Sequence, residues 1–223
     1  GNGSVPISTS LFPKDKFDQA LETMKDIFRV GLCVTDFVAV ADEGERLGEI
    51  IVPQGKIGLA TVSSIVLSGA LLKAGIPMDP KFGGILQIRN GEPLRFVDLI
   101  EYTGSSLDAA EVFIACKMTS VSKAAREGDG KILAGFWEFP ALARPQVETV
   151  INRLEAAGVR GLVVLGRIGE PVCETPVGLS KVGMILADGL NPVAAAVEAG
   201  IEVVNHAMSG VIDFGKLGSF GEL

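Results

Sequence analysis

Apolar positions recur at helical spacing near the start of the chain. Within residues 14–28 they fall three or four residues apart, which predicts an amphipathic helix. The side chains of this stripe are Phe17, Leu21, Met24 and Phe28. Residues 1–13, which are rich in Gly, Ser and Pro, indicate a loose lead-in, and the Val-rich residues 29–40 predict a buried strand.

Further along, short apolar runs and helical stretches follow the order strand, helix, strand, strand, helix, strand. The first set has predicted strands at 55–60, 83–89, 94–102 and 118–122, and helices at 61–74 and 106–117. The second set has strands at 131–139, 161–168, 181–188 and 201–205, and helices at 144–157 and 191–199. Asn90-Gly91 predicts a tight hairpin turn, and Asn191 is the expected N-cap of the last helix.

The βαββαβ order is that of the ferredoxin-like unit. We therefore predict an α+β, two-layer fold made of tandem ferredoxin-like βαββαβ units with antiparallel sheets. Residues 1–28 would form a lead-in and an N-terminal helix, residues 29–122 the first half, and residues 123–223 the second half of one domain.

The two halves also share residues, which favours an internal duplication. Leu71, Ala74 and Gly75 match Leu154, Ala157 and Gly158 at an offset of 83, and Gly104 matches Gly189 at an offset of 85. Chance is the alternative interpretation, because Ala and Gly are abundant.

Composition narrows the class of protein. The 223 residues are 48% hydrophobic with a mean hydropathy of +0.40, which is high for a monomer and indicates that some apolar surface lies in a subunit interface, so a homodimer is expected. No apolar run reaches the length of a membrane span, and no export signal is recognisable. A cytoplasmic location without membrane contact is therefore expected.

The charge argues against direct contact with nucleic acid. The net charge is −7 and the isoelectric point is about 4.9, whereas a domain that holds DNA by its phosphates is usually basic. The acidity by itself is equally consistent with a role in solubility alone.

Metal and cofactor chemistry is not indicated. Cys33, Cys116 and Cys173 are far apart in sequence and His206 is the sole histidine, so no zinc-ligand spacing occurs. No Gly-x-Gly-x-x-Gly or phosphate-binding loop is present, and no cofactor is expected. The acidic residues between 42 and 49 are more typical of a solvated face than of a metal site.

His206 offers the main opening for catalysis, since it lies near Ser209 in the motif NHAMSG. No nucleophile elbow or spaced acid accompanies the two residues, so we predict no catalytic residue. His206 remains a candidate contact for a ligand.

Anion binding has stronger support. Hydroxyl and Gly residues begin two predicted helices, where free backbone N–H groups favour a carboxylate. A basic, Gly-containing loop and two arginines flank the hairpin, and arginine suits planar carboxylates. The candidate residues are Thr61, Ser63, Ser64, Lys81, Gly83, Gly84, Arg89, Arg95, Thr103, Ser105 and Ser106. Ordinary helix caps and solvated arginines are the alternative for any single one of them.

Several long stretches resemble one known family. They include QGKIGLATVSS (54–64), FGGILQI (82–88), LIEYTGSSLD (99–108), AGFWEFP (134–140) and NHAMSG (205–210). Over about residues 29–215 the chain resembles the regulatory domain of NrpR, the archaeal repressor of nitrogen assimilation.

The resemblance implies a domain that binds the dicarboxylate 2-oxoglutarate, forms a dimer and lowers operator affinity when the effector is bound. It implies a winged helix-turn-helix that contacts DNA; no such motif precedes residue 29, so it would be supplied elsewhere, either on a longer chain or on a separate subunit. An amino-acid-binding regulatory module and an uncharacterised enzyme using His206 are the alternatives.

Overall fold

Antiparallel strands and helices alternate along residues 3–223, which the computed structural model describes. The strands are β1 (Ser4–Pro13), β2 (Phe37–Ala41), β3 (Arg46–Leu47), β4 (Ile50–Ile51), β5 (Lys56–Val62), β6 (Asp79–Arg89), β7 (Glu92–Glu101), β8 (Gly130–Pro140), β9 (Leu162–Ile168), β10 (Lys181–Ala187), β11 (Val204–Asp213) and β12 (Gly218–Ser219). The α-helices are α1 (Phe17–Val30), α2 (Ile65–Lys73), α3 (Ala109–Ala115), α4 (Val121–Glu127), α5 (Arg144–Ala156) and α6 (Asn191–Glu198).

The long strands form two five-stranded sheets. Sheet I has the order β11-β1-β5-β2-β12, and sheet II has the order β7-β6-β8-β10-β9. Neighbouring strands in both sheets are antiparallel, and β3 and β4 form a separate small hairpin. The predicted α+β class with antiparallel sheets is confirmed.

Each sheet is a ferredoxin-like unit whose fourth strand comes from the other repeat. In sheet I the order β11-β1-β5-β2 is the fourth-first-third-second order of the split βαβ unit, with β11 supplied from the far end of the chain. In sheet II the order β6-β8-β10-β9 repeats this arrangement, with β6 supplied by the first repeat. The two units are therefore interleaved by strand exchange.

The equivalent strand orders show which elements of the two repeats correspond. Phe12 and Pro13 at the end of β1 match Phe139 and Pro140 at the end of β8, an offset of 127. The glycines that follow α2 and α6, Gly75 and Gly200, match at an offset of 125, with φ of 82° and 85°. The predicted offset of 83–85 is wrong because it paired helices that occupy different places in the repeat.

The helices pack in two pairs that follow the same symmetry. Helix α1 packs against α6, and α2 packs against α5. One core joins Phe12 and Met24 to Phe136 and Ile185, and the other joins Leu71 of α2 to residues of α5 and sheet II. Burial of the apolar side chains in these cores stabilises the interleaved arrangement.

Three local predictions need correction. Residues 1–13 were expected to be loose, but Ser4–Pro13 forms β1, an interior strand of sheet I. In residues 29–40 a strand begins only at Phe37. The predicted strand at 118–122 is wrong because α4 begins at Val121, where the Glu198 carboxylate accepts the backbone N–H groups of Val121 and Ser122 at 2.6 and 3.0 Å. That cap comes from a residue distant in sequence.

Other predictions hold with shifted bounds. The helix at 14–28 is α1, and the Asn90-Gly91 turn is confirmed with φ of 53° and 79°. The last strand begins at Val204 and not at residue 201. The predicted N-cap role of Asn191 is wrong. Asn191 is the first residue of α6, and its side chain bonds both the N–H and the C=O of Leu133.

The boundary predicted between residues 122 and 123 falls inside α4, and both sheets take strands from each side of it. Within residues 3–223, no helix is long and apolar enough to cross a membrane.

Candidate functional site

A cavity of about 180 Å³ lies where β5 leads into α2 and β10 leads into α6. These two strand-to-helix junctions are equivalent in the duplication, and they face each other. Sheet I contributes Ser8, Ala207 and Met208, sheet II contributes Pro80 and Trp137, and the junctions and the segment after β7 contribute Ser63, Ser64, Ile65, Tyr102, Asp108, Ala110, Asp188 and Leu190. A molecule in this cavity would contact both sheets at once.

Gly189 allows the two junctions to approach closely. A Cβ atom at this residue would lie 2.2 Å from the carbonyl oxygen of Val62, so no larger side chain fits without movement of the backbone. On either side of this contact the junctions are fixed by backbone bonds, from Ser63 N–H to the Pro6 carbonyl at 2.9 Å and from Asp188 N–H to the Leu133 carbonyl at 3.0 Å. The geometry of the cavity is thus set by main-chain contacts.

The motif NHAMSG forms a bulge in β11 beside the cavity. Gly210 pairs with Ile7 and His206 pairs with Thr9, so three residues of β11 oppose Ser8 alone. Met208 has a left-handed φ of 48°, and its N–H donates to the Ser8 hydroxyl at 3.2 Å. Such bulges redirect side chains next to binding sites.

His206 itself is half-buried in β11, next to the lining residues Ala207 and Met208. The Ser209 hydroxyl shares a 2.7 Å hydrogen bond with the Thr9 hydroxyl.

The ionisable groups of the cavity wall are acidic. Burial raises the pKa of Asp188 to about 6; the Leu190 N–H that Asp188 accepts opposes this shift, and the negative charge of Asp108 adds to it. Burial and the same two carboxylates also raise the pKa of the Tyr102 phenol. In the part of the chain that the structure describes, no Lys or Arg lines this cavity.

Neutral hydrogen-bond donors surround the acids. Tyr102 and Trp137 lie with ring centroids 6.2 Å apart at one side of the cavity, and Ser8, Ser63 and Ser64 bring hydroxyl groups to it. These groups can donate hydrogen bonds to a carboxylate or to another molecule that carries several acceptor atoms. The cavity can therefore bind a small polar ligand. Whether Asp108 and Asp188 are protonated or ionised decides whether an anionic or a cationic ligand is favoured.

The structure brings some of the predicted site residues together. Ser63 and Ser64 line the cavity, and Gly83 and Gly84 line a small crevice that shares Tyr102 and Asp108 with it. Thr103, Ser105 and Ser106 lie in the exposed turn between Tyr102 and Asp108, so this turn borders the cavity at both of its ends. The segments before α2 and α3, which were expected to hold an anion between them, thus both lie beside the cavity.

Thr61 does not line the cavity and is buried in β5. It pairs with Ser8 across β1 and β5, so the two side chains share a face of sheet I. Its hydroxyl is the single buried side-chain oxygen or nitrogen within residues 3–223 that has no hydrogen-bond partner.

The predicted basic residues are placed elsewhere. Lys81 belongs to strand β6 and not to a flexible loop, and its ammonium pairs with Asp79 at 2.7 Å and Glu138 at 3.4 Å. Arg89 and Arg95 lie near the hairpin turn. At about 3.3 Å per residue, Arg89 is about 30 Å along β6 from Pro80, and Gln87, the partner of Arg95, is about 23 Å from it. The structure does not bring these arginines to the cavity.

Among the lining residues that were not predicted as site residues, five have polar side chains: Ser8, Tyr102, Asp108, Trp137 and Asp188. Asp188 carried a usable signal, because it is the counterpart of the predicted Ser63 at the true offset of 125.

A second, more open groove of about 580 Å³ lies beside α3 and α6. Lys56 and Lys117 line it together with Glu111 and Glu202, so its charges are mixed. It is the alternative location for an anionic ligand.

Comparisons with known proteins agree with the fold and the sequence resemblance. The chain is 37% identical to the global nitrogen regulator NrpRI of Methanosarcina mazei, over 95% of the chain and 65% of that protein. It is 31% identical to the global nitrogen regulator NrpR of Methanocaldococcus jannaschii, over all of the chain and 37% of that protein. The chain thus spans less than two thirds of the length of these curated relatives.

A solved structure has the same fold. The crystal structure of a nitrogen repressor-like protein from Methanococcus jannaschii matches with a TM-score of 0.80 and 29% identity, over 98% of this chain and 89% of that one. The family model described as NrpR regulatory domains NRD1 and 2 matches residues 1–219. The chain therefore belongs to the family of NrpR regulatory domains, which are regulatory modules and not enzymes.

Proposed function

We propose that this chain is the effector-sensing and dimer-forming regulatory domain of a repressor of nitrogen-assimilation genes, and that its effector is 2-oxoglutarate. Family membership supports the regulatory role, and the names of the relatives support the link to nitrogen. The net charge of −7 supports a division of labour in which a winged helix-turn-helix supplied elsewhere contacts DNA.

The observation that carries the proposal is the cavity between the equivalent junctions. It is small, and hydroxyl, phenol and indole donors from both repeats surround it. The unpartnered Thr61 hydroxyl, buried on the same sheet face as Ser8, adds a polar group whose hydrogen bond is unmade. Ligand sites commonly combine an apolar wall with a few convergent polar groups of this kind.

Strand exchange connects the cavity mechanically to both sheets. Because sheet I holds β11 and sheet II holds β6, a change in the spacing of the two junctions moves both sheets. If two arrangements of the sheets differ in the dimer they form, the effector shifts the population between them. A 100-fold change in DNA affinity corresponds to only about 2.7 kcal/mol of coupling.

A second candidate ligand is an amino acid. Asp108 and Asp188 line the cavity, and within the described residues no lysine or arginine opposes them, so an ammonium group has two partners there. This acidity favours a zwitterion over a dianion unless a carboxyl group of the protein takes up a proton.

The dimer is proposed from the apolar surface that remains exposed. The edge strand β11 of sheet I presents Val204, Met208 and Val211, which are exposed by 50 to 62%. Light scattering coupled to gel filtration gives the mass in solution; a single monomeric species at micromolar concentration would contradict the dimer.

Calorimetric titration with 2-oxoglutarate, glutamate and glutamine tests the effector. We expect selective binding of 2-oxoglutarate, weakened about tenfold by Ser64→Ala, which removes one hydroxyl from the cavity. Lys117→Ala, in the open groove, is the control and should bind normally. Loss of binding in the control but not in Ser64→Ala would move the site to the groove, and preference for an amino acid would favour the second candidate.

A further inference from the structure

The cavity poses an electrostatic problem for a dicarboxylate. Asp188 and Asp108 both line it, and their ionised forms would oppose a ligand of the same charge. Two groups that can carry a positive charge lie next to lining residues in the sequence, Lys81 of β6 and His206 of β11. Lys81 already pairs with Asp79 and Glu138. A dianion in this cavity therefore needs a proton where other sites supply an arginine.

We propose that Asp188 is protonated in the effector-bound state and donates a hydrogen bond to a carboxylate of the effector, so that each effector molecule binds together with one proton from solvent. This inference rests on the proposed function and deepens it. The proton joins a carboxylate oxygen of Asp188, the Asp188 charge is neutralised, and no other group changes its bonding.

The surroundings of Asp188 select which oxygen takes the proton. Its Oδ1 accepts the Leu190 N–H at 2.8 Å, where α6 begins, so Oδ2 is the oxygen left to carry a proton. An acceptor at that position satisfies the new O–H group, and an effector carboxylate is a strong acceptor.

Among the ionisable groups near Asp188, the negative charge of Asp108 favours the neutral form. Asp108 comes from the start of α3 and Tyr102 from the end of β7; one is an acid and the other a neutral phenol. The start of α2 brings Ser63 and Ser64, which do not titrate, and β11 brings Ala207 and Met208 to the lining, with His206 adjacent in the strand. Consistent with this environment, burial raises the pKa of Asp188 to about 6 even without a ligand.

Protonation of Asp188 would also distinguish 2-oxoglutarate from glutamate, which carries an amino group in place of the keto group. A ligand with an ammonium group would stabilise ionised Asp188, whereas a keto dicarboxylate would stabilise the protonated form. The number of protons taken up on binding therefore identifies which chemistry the cavity uses.

The test is calorimetric titration of the intact chain with 2-oxoglutarate at pH 7.5, in two buffers that differ in ionisation enthalpy. We expect uptake of nearly one proton per effector bound, and a Kd that rises by up to about tenfold per pH unit above pH 7. Asp188→Asn should still bind 2-oxoglutarate but take up no proton, and its Kd should not depend on pH. Asp213→Asn is the control, because Asp213 accepts the N–H of Gly215 in the same local geometry but is exposed.

The outcomes separate the two proposals. Binding of 2-oxoglutarate without net proton uptake by the wild-type chain overturns the role of Asp188 and leaves the effector proposal standing. The same proton uptake in Asp188→Asn as in the wild type also overturns it. If 2-oxoglutarate binds at no pH between 5.5 and 8, the proposed function is contradicted, and this inference with it.

Discussion

Ser63 and Asp188, 125 residues apart, occupy equivalent places at the ends of β5 and β10, and both line the same cavity. The duplication has placed a neutral hydroxyl on one side of the pseudo-symmetric junction and an acid on the other. The two strand ends meet because each repeat gives its fourth strand to the sheet of the other. The candidate site is thus a product of the interleaved fold and not of either repeat alone.

Replacement of Asp188 by Asn should remove a pH-dependent part of the stability. The pKa of Asp188 is about 6 in the folded protein against an ordinary value of 3.8, so the folded state binds the proton more tightly than the unfolded state. The free energy of unfolding of the wild type therefore falls as pH rises from about 4 to 6, by at most about 3 kcal/mol from this group. Urea unfolding at pH 4, 5, 6 and 7.5 measures the fall.

Comparison with two variants isolates the contribution of Asp188. Asp188→Asn should lose this part of the pH dependence and unfold at higher urea than the wild type at pH 7.5, while the exposed counterpart Asp213→Asn should follow the wild-type curve. Parallel curves for the wild type and Asp188→Asn would show that the folded environment does not favour the protonated form.

Gly189→Ala should be strongly destabilising. The added Cβ would lie 2.2 Å from the Val62 carbonyl oxygen, which can yield only if the two junctions separate. We expect a loss of about 3 kcal/mol, at the upper end of overpacking effects, together with loss of effector binding. Thermal and urea unfolding give the stability.

Gly69→Ala provides the matched control for this change. Gly69 lies inside α2 with nothing within 4 Å of an added Cβ, so the alanine should stabilise the helix by about 0.5–1 kcal/mol. Equal stabilities of the two variants would mean that the close approach of the junctions is not required.

Division of the chain between residues 129 and 130 should leave two fragments that do not fold separately. The break falls just before β8, and each fragment then lacks one strand of its own ferredoxin-like unit, β11 in one case and β6 in the other. Each would expose an unpaired edge of a central strand. We expect cooperative unfolding only after the fragments are mixed, as followed by circular dichroism. A cooperative transition in either fragment alone would contradict this prediction and would show that the fragment can close its sheet without a strand from the other repeat.

Sequence patterns predicted elements whose signals are local. The apolar stripe of α1 and the Asn90-Gly91 turn depend on neighbouring residues, and both were predicted correctly. Helix α4 could not be found in this way, since its N-terminal N–H groups are capped by Glu198 from another helix. Strand β1 was also missed, because its segment is rich in Ser and Pro and its pairing with β5 and β11 is not visible in the local sequence.

The residues of the candidate site also separate into those with a local sequence signal and those without one. Ser63 and Ser64 were predicted from their place before a helix, which is a local signal. Arg89 and Arg95 were chosen for their chemistry alone, and the geometry of the long β6–β7 hairpin carries them away from the cavity. Asp188 needed the correct offset of the duplication, and local patterns did not show which helices of the two repeats correspond.

Thr61→Val should leave the protein at least as stable as the wild type. The Thr61 hydroxyl is buried and has no hydrogen-bond partner, so removing it should give between zero and about 1 kcal/mol of stabilisation. Thr9→Val is the matched control, because Thr9 is equally buried on β1 and its hydroxyl bonds Ser209 at 2.7 Å. That variant should lose about 1–2 kcal/mol. Urea unfolding of both variants at neutral pH measures the difference, and a Thr61→Val protein that loses as much as Thr9→Val would mean that the Thr61 hydroxyl has a partner in solution.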